Sequence, residues 1–531
     1  MKLTLRNISS YAAGVALVSV AMTACNDLDT APDNYYVTTG QKEEAIEINP
    51  DLAQAGVVGI SSSFNQYEAV YSSHIDFGWP SVLLFSESAG MDLVGQNTGY
   101  NWFSSAGQYN FGNNNNYFNN LSWYYGYKII NACNNVIATI PEDTEDAKLQ
   151  MYAAQGYANR AYIYFTLAQL YQYTYKGHES LPCVPVITEK NSDDAAANGC
   201  PRSTVQEVYD QILADLDKAI ESITKSGLTV DRLAEAGSKR FVSLGTAYGL
   251  RARVNLVMNN WSAAASDAQN AIAQSGCTPY SIAEASVPAF NKADAHNLMW
   301  CVFVQESDRV VTSGIVNWAS HMGSLNYGYA SVGAWRAISK TLFATIPESD
   351  CRHGWWLDED KNSDNLSAAQ KELIDDYAAP AYTQVKFGPY KDVLDTSTNS
   401  TSPILMRVEE MYLILAEATA KAGGDGKTIL EDFVKTYRDP DYDSTAAGLS
   451  FEDEVWRQRR IELWGEGLAY FDLLRLNKGI DRRGGGWSTT WVYNIEAPLK
   501  PLLIPNNEMQ NNKAITNNND TWDKPIAVAD Y

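Results

Sequence analysis

Beyond residue 120 the apolar positions recur every three or four residues, in runs long enough for helices and grouped in pairs. In "STVQEVYDQILADLDKAIESI", Ser203 and Gln206 have the spacing of a capping box, in which each side chain satisfies an unpaired N–H at a helix start. Val208, Ile212, Leu216, Ala219, Ile220 and Ile223 then share one face. "SLGTAYGLRARVNLVMNNWSAAASDAQNAI" predicts two helices broken near Asn259 and Asn260, with small residues at close-contact positions. "LMRVEEMYLILAEATAKAGG" ends in a glycine pair suited to a helix C-cap, and "EVWRQRRIELWGEGLAYFDLLRL" follows after a loop. "WYYGYKIINACNNVIATI" and "YAAQGYANRAYIYFTLAQLY" predict one more pair. The predicted class is mainly α: a superhelix of tetratricopeptide-like helix pairs with no strict period, each pair burying its neighbour's apolar face.

Two segments break this pattern. Residues 281–400 mix strand-like runs such as "MWCVFVQ" with polar loops, and residues 480–531 are rich in Gly, Asn, Trp and Pro. Loops this long in a helical protein usually carry function. They predict an irregular loop and short-strand lobe, laid on the ligand side of a helical scaffold formed mainly by residues 120–275 and 403–478. Residues 25–531 are expected to form one domain.

The first 24 residues differ again. Lys2 and Arg6 precede a short, largely apolar run from Tyr11 to Ala24, too short for a membrane span and suited to a signal peptide. Met22-Thr23-Ala24-Cys25 resembles a bacterial lipobox, so Cys25 is expected to become the acylated N-terminus of a lipoprotein, palmitate included. More than one acyl chain makes such anchoring stable.

Charge and cysteine content narrow the partners. The chain has 531 residues and a formal net charge of −23, which repels nucleic acid and anionic lipid at long range. Six cysteines follow Cys25, at positions 133, 183, 200, 277, 301 and 351, with no CxxC to suggest zinc. Cys183 and Cys200 are the nearest candidates for a bridge, but a core of this size favours buried free thiols.

"RRIELWGEGLAYFDLLRL" (Arg459–Leu476) resembles a motif of the SusD/RagB family of outer-membrane nutrient-binding lipoproteins. "LMRVEEMYLILAEA", "LFATIPESDCRHGWW" and "LLIPNNEMQNN" are similar to other stretches of that family, in its order. The resemblance implies a helical tetratricopeptide scaffold, a surface-exposed glycan or nutrient site and a SusC-like TonB-dependent transporter as partner. It also implies anchorage in the outer membrane facing the cell exterior, with which Asp27 and Asp29 are compatible. Within these motifs, Arg407 with Glu410 and Asp472 with Arg475 are three apart and are expected to pair along helix faces, while Glu462 and Glu466 flank Gly465. These charges read as scaffold.

A sugar presents an apolar C–H face and a rim of hydroxyls, so its site needs flat rings beside amides or charges. Residues 95–127 hold 11 aromatics in 33 positions, with nine Asn and two Gln among them. Tyr100, Asn101, Trp102 and Tyr109 are the candidates there, joined by Trp79. A second cluster, "VNWASHMGSLNYGYASVGAWRA", adds Trp318, His321, Asn326, Tyr327, Tyr329, Trp335 and Arg336. A third, "RRGGGWSTTW", offers Arg482, Trp487 and Trp491 on a glycine run. The expected ligand is a neutral oligosaccharide or polysaccharide held by aromatic stacking, with an oligopeptide as the alternative.

An enzyme is the rival class. H-E-x-x-H, G-x-S-x-G and Walker-type motifs are missing. A lipid-anchored glycoside hydrolase needs only two suitably spaced carboxylates and stays open at this stage. "DEDKNSDNL" has Ser363 and Ala369 where a calcium loop needs Gly and Glu, so neither metal nor cofactor is expected.

Overall fold

The structure is a computed structural model that describes residues 39–96, 98–100, 102–230, 233 and 239–531. The segment containing Cys25, and Asn101, lie outside the described residues. The principal helices are α1 (Gln54–Phe64), α2 (Trp79–Ala89), α3 (Tyr117–Ala138), α4 (Ala147–Tyr171), α5 (Val205–Ser226), α6 (Leu244–Val257) and α7 (Trp261–Ser275). After a long excursion come α8 (Val408–Lys421), α9 (Gly426–Tyr437), α10 (Phe451–Glu462) and α11 (Ala469–Arg475). From α3 to α9 each helix packs on the next, the layout of stacked helix pairs.

Local chemistry sets where these helices begin. The Asn116 side chain accepts from Phe118 N–H to start α3, and Asp146 accepts from Lys148 and Leu149 N–H to start α4. The capping box of α5 falls one residue later than the spacing predicts, on Thr204 and Glu207. The Ser203 backbone is occupied elsewhere, bonded both ways to the Cys183–Val184 segment. Glu207 also brings a negative charge to the positive helix end, which Gln206 cannot. The six apolar residues foreseen on α5 are all buried. Helices α3 and α4 cross closely at two glycines: a Cβ on Gly126 would lie 2.9 Å from Leu167 Cδ1, and one on Gly156 2.7 Å from Ile137 Cγ1.

The excursion between α7 and α8 is closed at its base. Strand β2 (Leu298–Cys301) pairs antiparallel with β4 (Ile404–Arg407), and α7 packs directly on α8 as if the chain between them were absent. Two smaller ladders attach the outlying segments. Strand β1 (Leu93–Val94) pairs with β3 (Ala337–Ile338), and β5 (Ile480–Asp481) pairs with β6 (Asn494–Ile495). All six described cysteines are free, Cys183 and Cys200 among them.

The motif charges form a buried network. Arg407 does not pair with Glu410: it ends β4 in an extended conformation and binds Glu409 at 3.0 Å, Glu462 at 3.1 Å and Glu466 at 2.8 Å. Glu410 binds Arg253 instead, at 2.5 Å. Asp472 and Arg475 do pair, at 2.7 Å. Arg438 and Arg352 also converge on Glu462, and Lys386 on Glu466, all of them buried. Burial alone would raise the Glu462 carboxyl, but Arg438, Arg407 and Arg352 hold it well below the usual range.

Glu87 of α2 secures the turn that follows α10. Its two carboxylate oxygens accept from Gly465 and Gly467 N–H, at 3.0 Å each. Both glycines are left-handed, with φ of 79° and 81°, and a Cβ on Gly467 would meet Leu83 Cβ at 2.8 Å. Burial pushes the Glu87 carboxyl up to about 7, and the Asp92 carboxylate adds to the rise. A raised folded-state value means stability that is complete below the usual 4.5 and is lost as pH climbs through about 7. Thermal melts across about pH 4 to 8 should therefore fall faster for the wild type than for Glu87→Gln within that window. Parallel curves would show that Glu87 ionises normally.

Candidate functional site

The β1–β3 ladder brings together two segments that lie far apart in sequence. It pairs Leu93 with Ile338 and Val94 with Ala337, so the aromatic loop leaving β1 faces the residues entering β3. Between them lies a narrow cleft, partly open to solvent. Tyr100 and Trp102 line one side, Trp335 and Arg336 the other, and Trp491 closes the base. Tyr100 stands 45% exposed at the mouth, while Trp102 is half-buried.

Trp102 is braced from behind. The His74 ring lies 4.7 Å from it, and the Tyr329 ring meets it at 5.9 Å, nearly edge-on. The Tyr329 hydroxyl bonds His74 Nδ1, and its ring stacks on His321 at 4.5 Å. His321 is sandwiched in turn between Tyr329 and Phe77, and its Nε2 bonds the His74 carbonyl at 2.9 Å. Burial pushes the His321 imidazole down to about 3, helped by the Arg336 cation, so it is neutral.

The third aromatic run forms a fixed wall instead of a flexible platform. Arg482 is fully buried, donates to the Gly90, Ala89 and Gly107 carbonyls, and lies 3.8 Å over the Trp487 ring. The Trp491 ring presses on the loop backbone, so that a Cβ on Gly95 or Gly107 would come within 3.1 or 2.9 Å of it.

Several candidates turn out to be core. Trp79 is fully buried in α2 and donates to the Tyr162 hydroxyl at 3.1 Å. Tyr109 is buried beneath the loop, 3.3 Å from the Tyr470 hydroxyl and packed on Trp522. Trp318 is buried edge-on against Phe387 at 5.0 Å. His321 supports Tyr329, and Asn326 is buried with its amide donating to Asn399 at 2.7 Å. For each of these the ring or amide surface is already covered by protein. Tyr327 is 47% exposed but does not line the cleft. Trp335 is buried in a small apolar cluster of the lobe, with Leu325, Leu357 and Val385, and also lines the cleft. Gln96, Thr98 and Ser88 also line the cleft, with His74 behind it, and none of the four is among the residues expected there from sequence. For Gln96 and Thr98 the available signal was their place at the start of the aromatic loop.

Two family models match the chain. One, described as starch-binding and associating with the outer membrane, covers residues 83–254; the other, described as the SusD family, covers residues 359–524. The chain belongs to the SusD family. The aromatic loop falls inside the first match, whereas Trp335 and Arg336 lie between the two. A curated SusD-like relative, protein P38 of Formosa agariphila, is 25% identical over 68% of this chain and 73% of its own length. Among solved structures, a SusD-like carbohydrate-binding protein from Bacteroides vulgatus shares the fold with a TM-score of 0.69 at 20% identity, covering 91% of this chain and 98% of its own. A SusD superfamily protein from Bacteroides thetaiotaomicron gives 0.67 at 23% identity, with 88% and 99% coverage. Surface glycan-binding protein A of Bacteroides thetaiotaomicron, solved with laminarihexaose, gives 0.62 at 17% identity, with 88% and 99% coverage. The helical SusD fold, with tetratricopeptide-like pairs, is thus the fold of this chain.

Proposed function

We propose that this SusD-family protein captures glycans at the cleft between the aromatic loop and β3 and passes them to a SusC-like TonB-dependent transporter. Cys25 carries the lipid anchor, the body faces the cell exterior, and scaffold and lobe act as one unit. The observation that carries the reading is the convergence of Tyr100, Trp102, Trp335 and Arg336 on one open cleft. Rings supply C–H stacking surface, and Gln96, Thr98 and the guanidinium supply hydrogen bonds at the rim. The solved glycan-binding relative with laminarihexaose supports the ligand class. Binding is favoured over hydrolysis because the described residues lining the cleft include no Asp or Glu, while glycosidic cleavage ordinarily needs two carboxylates.

A glycan and oligopeptide array probed with residues 26–531 tests the ligand class. Retention of oligosaccharides without new reducing ends is the expected result. Retention of peptides alone would transfer the protein to the peptide-uptake reading, and new reducing ends would make it a hydrolase. Handover predicts that the full chain, purified from detergent-solubilised outer membranes, brings down a large β-barrel protein. Repeated recovery of the chain alone would remove the transporter from the proposal.

A further inference from the structure

Two of the under-paired polar groups at the cleft, the Arg336 guanidinium and the Trp102 indole N–H, can only donate. Arg336 is 8% exposed, and its one protein hydrogen bond among the described residues runs from Nε to the His321 carbonyl at 3.2 Å. No carboxylate of those residues pairs with it, although the chain holds 63 acids against 40 Lys and Arg. The guanidinium lies over the Phe103 ring at 5.8 Å, and burial lowers it to about 10, so it stays charged at neutral pH. Trp102 Nε1 is buried without an acceptor, and so is the Ser88 hydroxyl. Arginine and indole N–H groups can only donate. An unpaired buried donor is costly, and an unpaired cation more so.

Neutral sugar hydroxyls both donate and accept, whereas a carboxylate or sulfate only accepts and also supplies the missing charge. We infer that the glycan bound in this cleft carries an anionic group, a sugar carboxylate or sulfate ester, and that Arg336 receives it with the Trp102 indole N–H beside it. The inference rests on the glycan-capture reading and departs from the neutral ligand expected from sequence. The net charge of −23 opposes an anion at a distance, but that repulsion is screened by salt, while a contact inside the cleft is much less so.

The test is titration calorimetry at near-physiological salt with three probes of matched length: a neutral gluco-oligosaccharide, an oligogalacturonate and a sulfated galacto-oligosaccharide. The wild type should bind at least one acidic probe about ten-fold or more tighter than the neutral one, the range of a hydrogen bond to a charged group. Arg336→Gln should bring that ratio down to about one. Arg336→Lys keeps the charge without the planar fork and should retain part of the preference. Trp102→Phe keeps a ring but loses the N–H and should reduce the preference if Arg336→Gln proves too unstable to assay. The two acidic probes separate carboxylate from sulfate. Equal or better binding of the neutral probe by the wild type, or a preference unchanged in the Arg336 variants, overturns the inference and leaves glycan capture standing. Failure of all three probes and of the wider array would remove both.

Discussion

Glu462→Ala is expected to cost about 3–5 kcal/mol of folding stability or more, the range for breaking a buried ion pair from one side. Glu462 sits at the meeting point of Arg352, Arg407 and Arg438, and all four side chains are buried. Removing the carboxylate leaves three guanidinium groups turned toward a gap, with only Glu409, Glu466 and Asp350 to share their charge. Desolvation has already been borne by the cations, so their repulsion acts at low local dielectric. Chemical denaturation of the soluble chain gives the comparison. The surface variant Glu221→Ala, which breaks only the exposed pair with Lys225, should leave the midpoint unchanged. If Glu462→Ala unfolds at the wild-type midpoint, the network is ornamental and the fold is held by its apolar core.

Two tryptophan variants should separate along opposite axes. Trp102→Ala should lower glycan affinity about ten-fold or more, because an aromatic face contributes apolar area and a directional term of about 0.5–1.5 kcal/mol. Its melting temperature should shift little, since the ring is only half-buried and His74 and Tyr329 keep their own bond. Trp318→Ala should do the reverse. That ring is buried against Phe387, and its loss should cost about 3–5 kcal/mol of stability. Affinity of the folded Trp318 variant should match the wild type. A stable Trp318→Ala that loses binding, or a Trp102→Ala that unfolds but binds, would exchange the two roles.

The helices were legible because their periodicity is local: the buried stripe of α5 runs from Val208 to Ile223 as the spacing implies. The Arg407–Glu410 pairing failed because it assumed a helix where β4 keeps Arg407 extended. Partition of the aromatics was not legible for a different reason. Trp79 and Trp102 are alike in residue type, and only their distant partners distinguish them. Tyr162 of α4 covers Trp79, while the β1–β3 ladder holds Trp102 at an open cleft opposite Arg336. Arg336 drew notice for its residue type. Its missing counter-charge depends on which acids fold near it, and no spacing rule reports that.

The zipped base of the excursion bears on how such proteins diversify. Because β2 meets β4 and α7 rests on α8, descendants could exchange much of the stretch from Val302 to Pro403 and keep the helical stack. The replacement is not unconditional. Asp350, Arg352 and Lys386 belong to that stretch, and through them it reaches Glu462 and Glu466 of the inherited part. A transplanted segment must therefore deliver two cations to those carboxylates, whatever sugar its loops have come to recognise.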